Sequence, residues 1–207
     1  MTIPAQYKLP AYRYPLYAAF MSSIATPDWS TLPAPEDDGA ARHLPSLRIA
    51  SIPLPATDGA TVDLSALPGL TVLFAYPRTG RPGEPNPDGW DAIPGARGCT
   101  PQTCAFRDHF AELRSLGAAH LYGLSTQNTA YQRELAERLH LPFPILSDEH
   151  LVLTKSLSLP TFSTNGMTLL KRLALILRDG VIEHVFYPVF PPDQNAADVV
   201  TWLRAQR

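Results

Sequence analysis

Cysteine is scarce in this 207-residue chain: there are two, Cys99 and Cys104. Two thiols cannot build a disulfide scaffold, nor a four-ligand zinc cage by themselves. Charge of one sign is missing too. Seventeen Lys and Arg stand against 19 Asp and Glu, a formal net charge of −2, so there is no basic footprint for nucleic acid. No run approaches the ~18 apolar residues of a membrane span. The nearest candidate, Leu16 to Ala25 behind Lys8 and Arg13, resembles a short secretory h-region. Prolines 4, 10 and 15 precede it, however, and no A-x-A site follows. A cytoplasmic protein is the expectation. What is plentiful is proline, 22 residues, roughly twice the usual ~5%, which implies many fixed turns and few long helices. With 45% hydrophobic residues the chain can build a core, and its length suits one decorated domain.

Residues 1–44 lack sustained periodicity and read as a proline-rich extension lying along a domain at 45–207. Beyond Leu44, a short extended run, the turn Thr57-Asp58-Gly59 and Thr61 to Leu64 predict a hairpin. Thr71 to Tyr76, stopped by Pro77, reads as a buried strand. Arg78 to Gly98 is a long Pro/Gly-rich loop, the kind that usually carries function. A helix follows Cys99, with Phe106, Phe110, Leu113 and Leu116 at helical spacing up to Gly117. Then come a strand at His120 to Leu124, a helix at Thr129 to Leu139, and a short strand at Pro144 to Leu146. A helix over Leu151 to Ser156 is capped from Ser147-Asp148. A long strand over Leu170 to Leu177 turns at Arg178-Asp179-Gly180 into Val181 to Phe186, and Ala196 to Leu203 closes the chain as a helix. Alternating strands and helices with a late hairpin give an α/β fold of thioredoxin-like layout: a mixed β-sheet flanked by helices, with an N-terminal extension.

Chemistry concentrates at Cys99, between a glycine loop and the start of a helix whose first turn accommodates Pro101. Free N–H groups and the positive dipole end there favour thiolate over thiol, the nucleophilic form. Two plainer readings stand beside this one: small buried hydrophobes, or a static disulfide. Against the second, residues five apart on a helix have Cα atoms roughly 8–9 Å apart, whereas a disulfide needs about 7 Å or less. A Cys99–Cys104 bond therefore requires at least a turn of helix to unwind, so it would be conditional.

The run Gly98-Cys99-Thr100-Pro101-Gln102-Thr103-Cys104-Ala105-Phe106-Arg107-Asp108 resembles the active-site helix of the peroxiredoxins, nearest the bacterioferritin-comigratory or Q type. Phe74-Ala75-Tyr76-Pro77, Gly123-Leu124-Ser125 and Leu141 to Asp148 extend the resemblance in order. It implies a thiol peroxidase. Cys99 would be the peroxidatic cysteine attacking hydrogen peroxide or an organic hydroperoxide, and Cys104 the resolving cysteine that closes a disulfide. A thioredoxin-like dithiol would reset the pair, without a cofactor, in a monomer independent of nucleic acid and membrane.

The sequence departs from the family pattern where Pro and Thr/Ser normally precede the cysteine by seven and three residues. Here those positions are Ala92 and Ala96. Pro77 and Thr79 look like the start of that pattern, displaced by the insertion Gly80 to Ile93, so either Thr79 or Thr100 supplies the hydroxyl, or no residue does. The family's cation falls on Lys171 or Arg172, whose side chains face opposite ways in a strand. Arg172 is the better candidate, because a planar fork holds a peroxide better than an ammonium does. Gln102 occupies a place where the family often has Glu or Gln, and can fix the helix or that arginine.

The remaining features point elsewhere only weakly. Six scattered histidines lack metal spacing, Ser125 lacks a G-x-S-x-G elbow, and Val185 to Pro192 reads as a packed connector. A disulfide oxidoreductase is the first rival, opposed by C-x4-C spacing in place of C-x-x-C. A non-enzymatic redox sensor is the second.

Overall fold

A computed structural model describes residues 27–207; the segment Leu16 to Ala25 lies outside them. The central sheet runs in the order β5-β4-β3-β8-β9, formed by β3 (Leu70–Ala75), β4 (Ala118–Ser125), β5 (Ile145–Ser147), β8 (Leu173–Arg178) and β9 (Val181–Phe186). β3 pairs parallel with β4 and antiparallel with β8. Every residue of β3 is buried, which explains its unbroken apolar sequence: neither face meets water. A first hairpin, β1 (Pro53–Pro55) with β2 (Thr61–Asp63), turns at Thr57 to Gly59 as the sequence predicts.

Alternation along β3 divides the core. Val72, Phe74 and Tyr76 point to one face, where they meet Phe106, Leu113, Leu135, Val199 and Leu203. These come from α1 (Cys99–Asp108), α2 (Phe110–Ser115), α3 (Thr129–Arg138) and α5 (Asn195–Ala205). Phe74 stacks on Phe106 with ring centroids 4.1 Å apart. Leu73 and Ala75 point to the other face, covered by Ala41, Leu44, Leu54, Val62 and Leu153; Leu153 belongs to α4 (Val152–Ser156). As anticipated, Asp148 caps α4, accepting from the N–H groups of Leu153 and Thr154. This is the thioredoxin-like arrangement that the element order implies.

Two expectations are corrected. The helix after Cys99 is not continuous to Gly117: it breaks at His109, which ends α1 and begins α2. Nor is Leu170 to Leu177 one strand. Another hairpin, β6 (Thr161–Thr164) with β7 (Met167–Leu170), precedes β8, and Lys171-Arg172 joins the two ladders. The Lys171 N–H donates to the Pro160 carbonyl (2.8 Å), so the backbone changes partners at the residues that carry the candidate cations.

The segment from Trp29 to Asp38 lies against the loop that leads into α1. The Gly95 N–H donates to the Pro33 carbonyl (3.2 Å), and Trp29 Nε1 donates to Asp193 Oδ2 (3.0 Å). Asp38 accepts from Lys171 Nζ (2.6 Å) and the Tyr187 hydroxyl (2.7 Å).

Candidate active site

α1 begins at Cys99 behind Gly98, whose φ of 100° lies in the left-handed region. A Cβ on Gly98 would stand 2.6 Å from Pro192 and 2.8 Å from Trp29. Glycine is needed there both for the turn and for the close approach of two chain segments. The Cys99 side chain is buried, 4% exposed, yet lines a cavity of about 340 Å³ together with Thr79, Trp90, Ala96, Thr100, Pro101 and Arg138.

Arg172 is turned to the sulfur. Its Nη2 lies 3.3 Å from Cys99 Sγ and donates to the carbonyls of Gly95 (3.2 Å), Ala96 (3.4 Å) and Arg97 (3.0 Å). Its Nη1 donates to Gln102 Oε1. Arg172 is 3% exposed, and among the described residues no carboxylate pairs with it. Its partners other than sulfur are neutral oxygens. A buried cation surrounded by neutral groups is costly unless an anion sits nearby; the Cys99 sulfur lies against the guanidinium and also donates towards the Ala96 carbonyl (3.6 Å). Lys171 turns the other way, to Asp38.

Gln102 is fully buried, one turn along α1 from Cys99. Its Nε2 donates to Asn195 Oδ1 (2.9 Å), so this amide spans Arg172 and the start of α5. Neither Asn195 nor Tyr76 is among the residues singled out from sequence. Burial pushes the Tyr76 phenol up from its ordinary range, and the neighbouring Cys99 adds to the shift. Tyr76 had a usable signal, as the last aromatic of a buried strand immediately before Pro77. Asn195, 93 residues from Gln102, had none.

Thr79 is buried in the Cys99 cavity, but its hydroxyl donates to Gln127 Oε1 (3.2 Å). Its N–H donates to the same oxygen (2.9 Å), and Gln127 Nε2 returns a bond to its carbonyl (3.0 Å). Thr79 is thus tethered to Gln127 and makes no hydrogen bond to Cys99. Thr100 lines the cavity from the first turn of α1. Pro77 stands apart, walling a second cavity of about 440 Å³ with Ile93, Pro94, Gly95, Phe162 and Arg172. Arg172 therefore reaches from that cavity to the sulfur, along the 95–97 backbone.

Both cysteines are free thiols, five positions apart on the intact α1. Cys104 is half-buried, and burial raises its thiol pKa; Arg107 opposes the shift and Asp108 adds to it. Burial thus disfavours the nucleophilic thiolate of Cys104 in the folded state.

A model of the Redoxin family matches residues 33–201. The chain is similar to the chloroplastic peroxiredoxin Q of Triticum aestivum, 31% identical over 145 residues that span 69% of this chain and 58% of that protein. Against the chloroplastic peroxiredoxin Q of Oryza sativa subsp. japonica it is 29% identical over 150 residues, 72% and 61% of the two chains. The chain thus spans about three fifths of the length of these curated relatives. Among solved structures it resembles peroxidoxin BcpB from Mycobacterium tuberculosis, with a TM-score of 0.64 and 26% identity over 79% of this chain and 97% of that one. The bacterioferritin comigratory protein of Xanthomonas campestris shares the fold, with a TM-score of 0.61 at 19% identity over 76% of this chain and 93% of that one.

Proposed function

Because the chain belongs to the redoxin family, in its peroxiredoxin Q group, we propose that it is a thiol peroxidase in which Cys99 reduces hydrogen peroxide and organic hydroperoxides. The observation that carries this reading is the Arg172 guanidinium, buried among neutral partners with its Nη2 3.3 Å from the Cys99 sulfur. In such a low-dielectric setting a fixed cation stabilises an anionic sulfur before attack and a departing oxyanion during it.

The chemistry balances in three steps. The Cys99 thiolate attacks one peroxide oxygen. The O–O bond breaks, the distal oxygen leaves as alkoxide or hydroxide and takes a proton, and Cys99 becomes a sulfenic acid. Cys104 then attacks that sulfur, forming S–S and expelling water. A dithiol protein of thioredoxin type supplies the two electrons that return both cysteines to thiols. The second step needs α1 to unwind, because an intact helix holds the Cα atoms roughly 8–9 Å apart. The hydroxyl that assists attack comes from Thr79 or Thr100, both on the Cys99 cavity. With both thiols on one helix the reaction needs no second subunit, so the proposal includes a monomer. A cytoplasmic location is proposed from the sequence alone.

The test is peptide mapping with intact mass after one equivalent of peroxide. Loss of two hydrogens in a peptide joining Cys99 to Cys104, with peroxide consumed in equal amount, is the expected result. Disulfide exchange with protein substrates and no peroxide consumption would assign the chain to thiol–disulfide oxidoreduction. One oxidation that thioredoxin and its reductase never reverse would make it a sensor.

A further inference from the structure

We infer that Asn195 is a positioning residue for the Cys99 chemistry, acting through Gln102 and Arg172; the inference rests on the peroxidase reading of Cys99. Three hydrogen-bonding side chains line up behind the sulfur. Asn195 Oδ1 accepts from Gln102 Nε2 (2.9 Å), Gln102 Oε1 accepts from Arg172 Nη1, and Arg172 Nη2 stands 3.3 Å from Cys99 Sγ. Asn195, Gln102 and Arg172 are all buried.

The logic lies in the two unlike ends of an amide. A guanidinium offers only N–H donors, so Gln102 must present its oxygen to Arg172. That orientation aims its NH₂ group the opposite way, into the protein, where an unmet donor is costly. Asn195 supplies the acceptor that allows Gln102 to keep its oxygen on Arg172. Without it, the Gln102 amide relieves its unmet donor by turning, and Arg172 loses the contact that fixes its rotation about the sulfur.

Asn195 does not look like a residue kept for its own helix. It is the first residue of α5, and neither it nor Gln194 makes a side-chain capping bond there. Its Nδ2 is buried without a partner. The helix start thus carries an unmet donor while the side-chain oxygen serves α1.

The test exploits the symmetry of a carboxylate. Glu at position 102 has two acceptors and no N–H to satisfy, so it can hold Arg172 without help from Asn195. Asn195→Leu is therefore made in two backgrounds, with Gln102 and with Gln102→Glu, and the ratio of rates with and without the Leu substitution is compared. The rates followed are peroxide reduction and, in a Cys104→Ser background, alkylation of Cys99 by iodoacetamide. The expected result is a drop of about tenfold with Gln102 and less than twofold with Gln102→Glu. A similar drop in both backgrounds overturns the inference, because a purely structural role is indifferent to the amide. So does the absence of any drop with Gln102. Asn195→Ala repeats the comparison with a smaller change should Leu prevent folding. If Cys99 is alkylated but never consumes peroxide, the peroxidase reading fails, and the alkylation ratio still decides the role of Asn195.

Discussion

Trp29 Nε1 donates to Asp193 Oδ2 across 3.0 Å, joining residues 164 apart in sequence directly over the start of α1. The Trp29 ring also meets Phe190 edge-on, with centroids 6.2 Å apart, and lies against Gly98. The contact therefore packs on the residue from which α1 starts.

Trp29→Ala should therefore speed disulfide formation. Losing one hydrogen bond and its packing removes on the order of 1 kcal/mol from the folded helix start, which corresponds to a several-fold faster second step. Stopped-flow separation of Cys99 oxidation from Cys99–Cys104 closure measures it. An unchanged or slower closure rate contradicts a role for the Trp29–Asp193 contact in holding the helix start.

Arg172→Met should lower the rate of Cys99 with peroxide by about 10²–10³, the usual consequence of removing a fixed charge-stabilising donor. Arg172→Lys should recover little of this loss, because an ammonium cannot bond Gln102 and the sulfur through one planar fork. Second-order rate constants at one pH decide the matter. A Lys variant within twofold of the original would show that charge alone suffices.

Cys104→Ser should react with one equivalent of peroxide and stop as the sulfenic acid, then gain further oxygen with excess peroxide. Turnover with a thioredoxin-type reductant should be lost. Mass spectrometry of the Cys99 peptide follows both outcomes, and full turnover by this variant would remove Cys104 from the resolving role.

Disulfide closure should accelerate as pH rises from about 7 to 9. Burial raises the Cys104 thiol pKa in folded α1, whereas an unwound segment exposes a thiol near ~8.5. A group with a raised folded pKa contributes stability that is fully present below the unfolded value and is lost as pH climbs through the folded one. Up to about pH 8.5 the gain comes from ionisation of the exposed attacking thiol; above that value the folded helix also loses stability, which adds to it. A closure rate that is flat or falling across this window would falsify the argument.

The buried strand β3 was legible because an unbroken apolar run has one economical explanation, and the start of α1 was legible from Gly98 and Pro101. The choice between Lys171 and Arg172 followed from side-chain chemistry, and the structure aims Arg172 at the sulfur and Lys171 at Asp38. The hairpin of β6 and β7 was missed because its strands, Thr161–Thr164 and Met167–Leu170, are short and mix polar with apolar residues, although Asn165-Gly166, both at positive φ, carries a recognised hairpin signal. The break at Lys171-Arg172 has no proline or glycine to mark it; it arises where the Lys171 N–H finds Pro160. The tether of Thr79 to Gln127 and the reach of Gln102 to Asn195 are long-range pairings that no local pattern encodes.

A guanidinium walled in by carbonyl oxygens and an amide has a consequence for the spent protein. If Cys99 carries a neutral S–OH group as proposed, Arg172 is left buried among neutral partners without counter-charge, which should weaken the folded helix start. In the proposed cycle, oxidation would thereby loosen the helix start that holds Cys99 and free Cys104 when a sulfenic acid is there for it to attack.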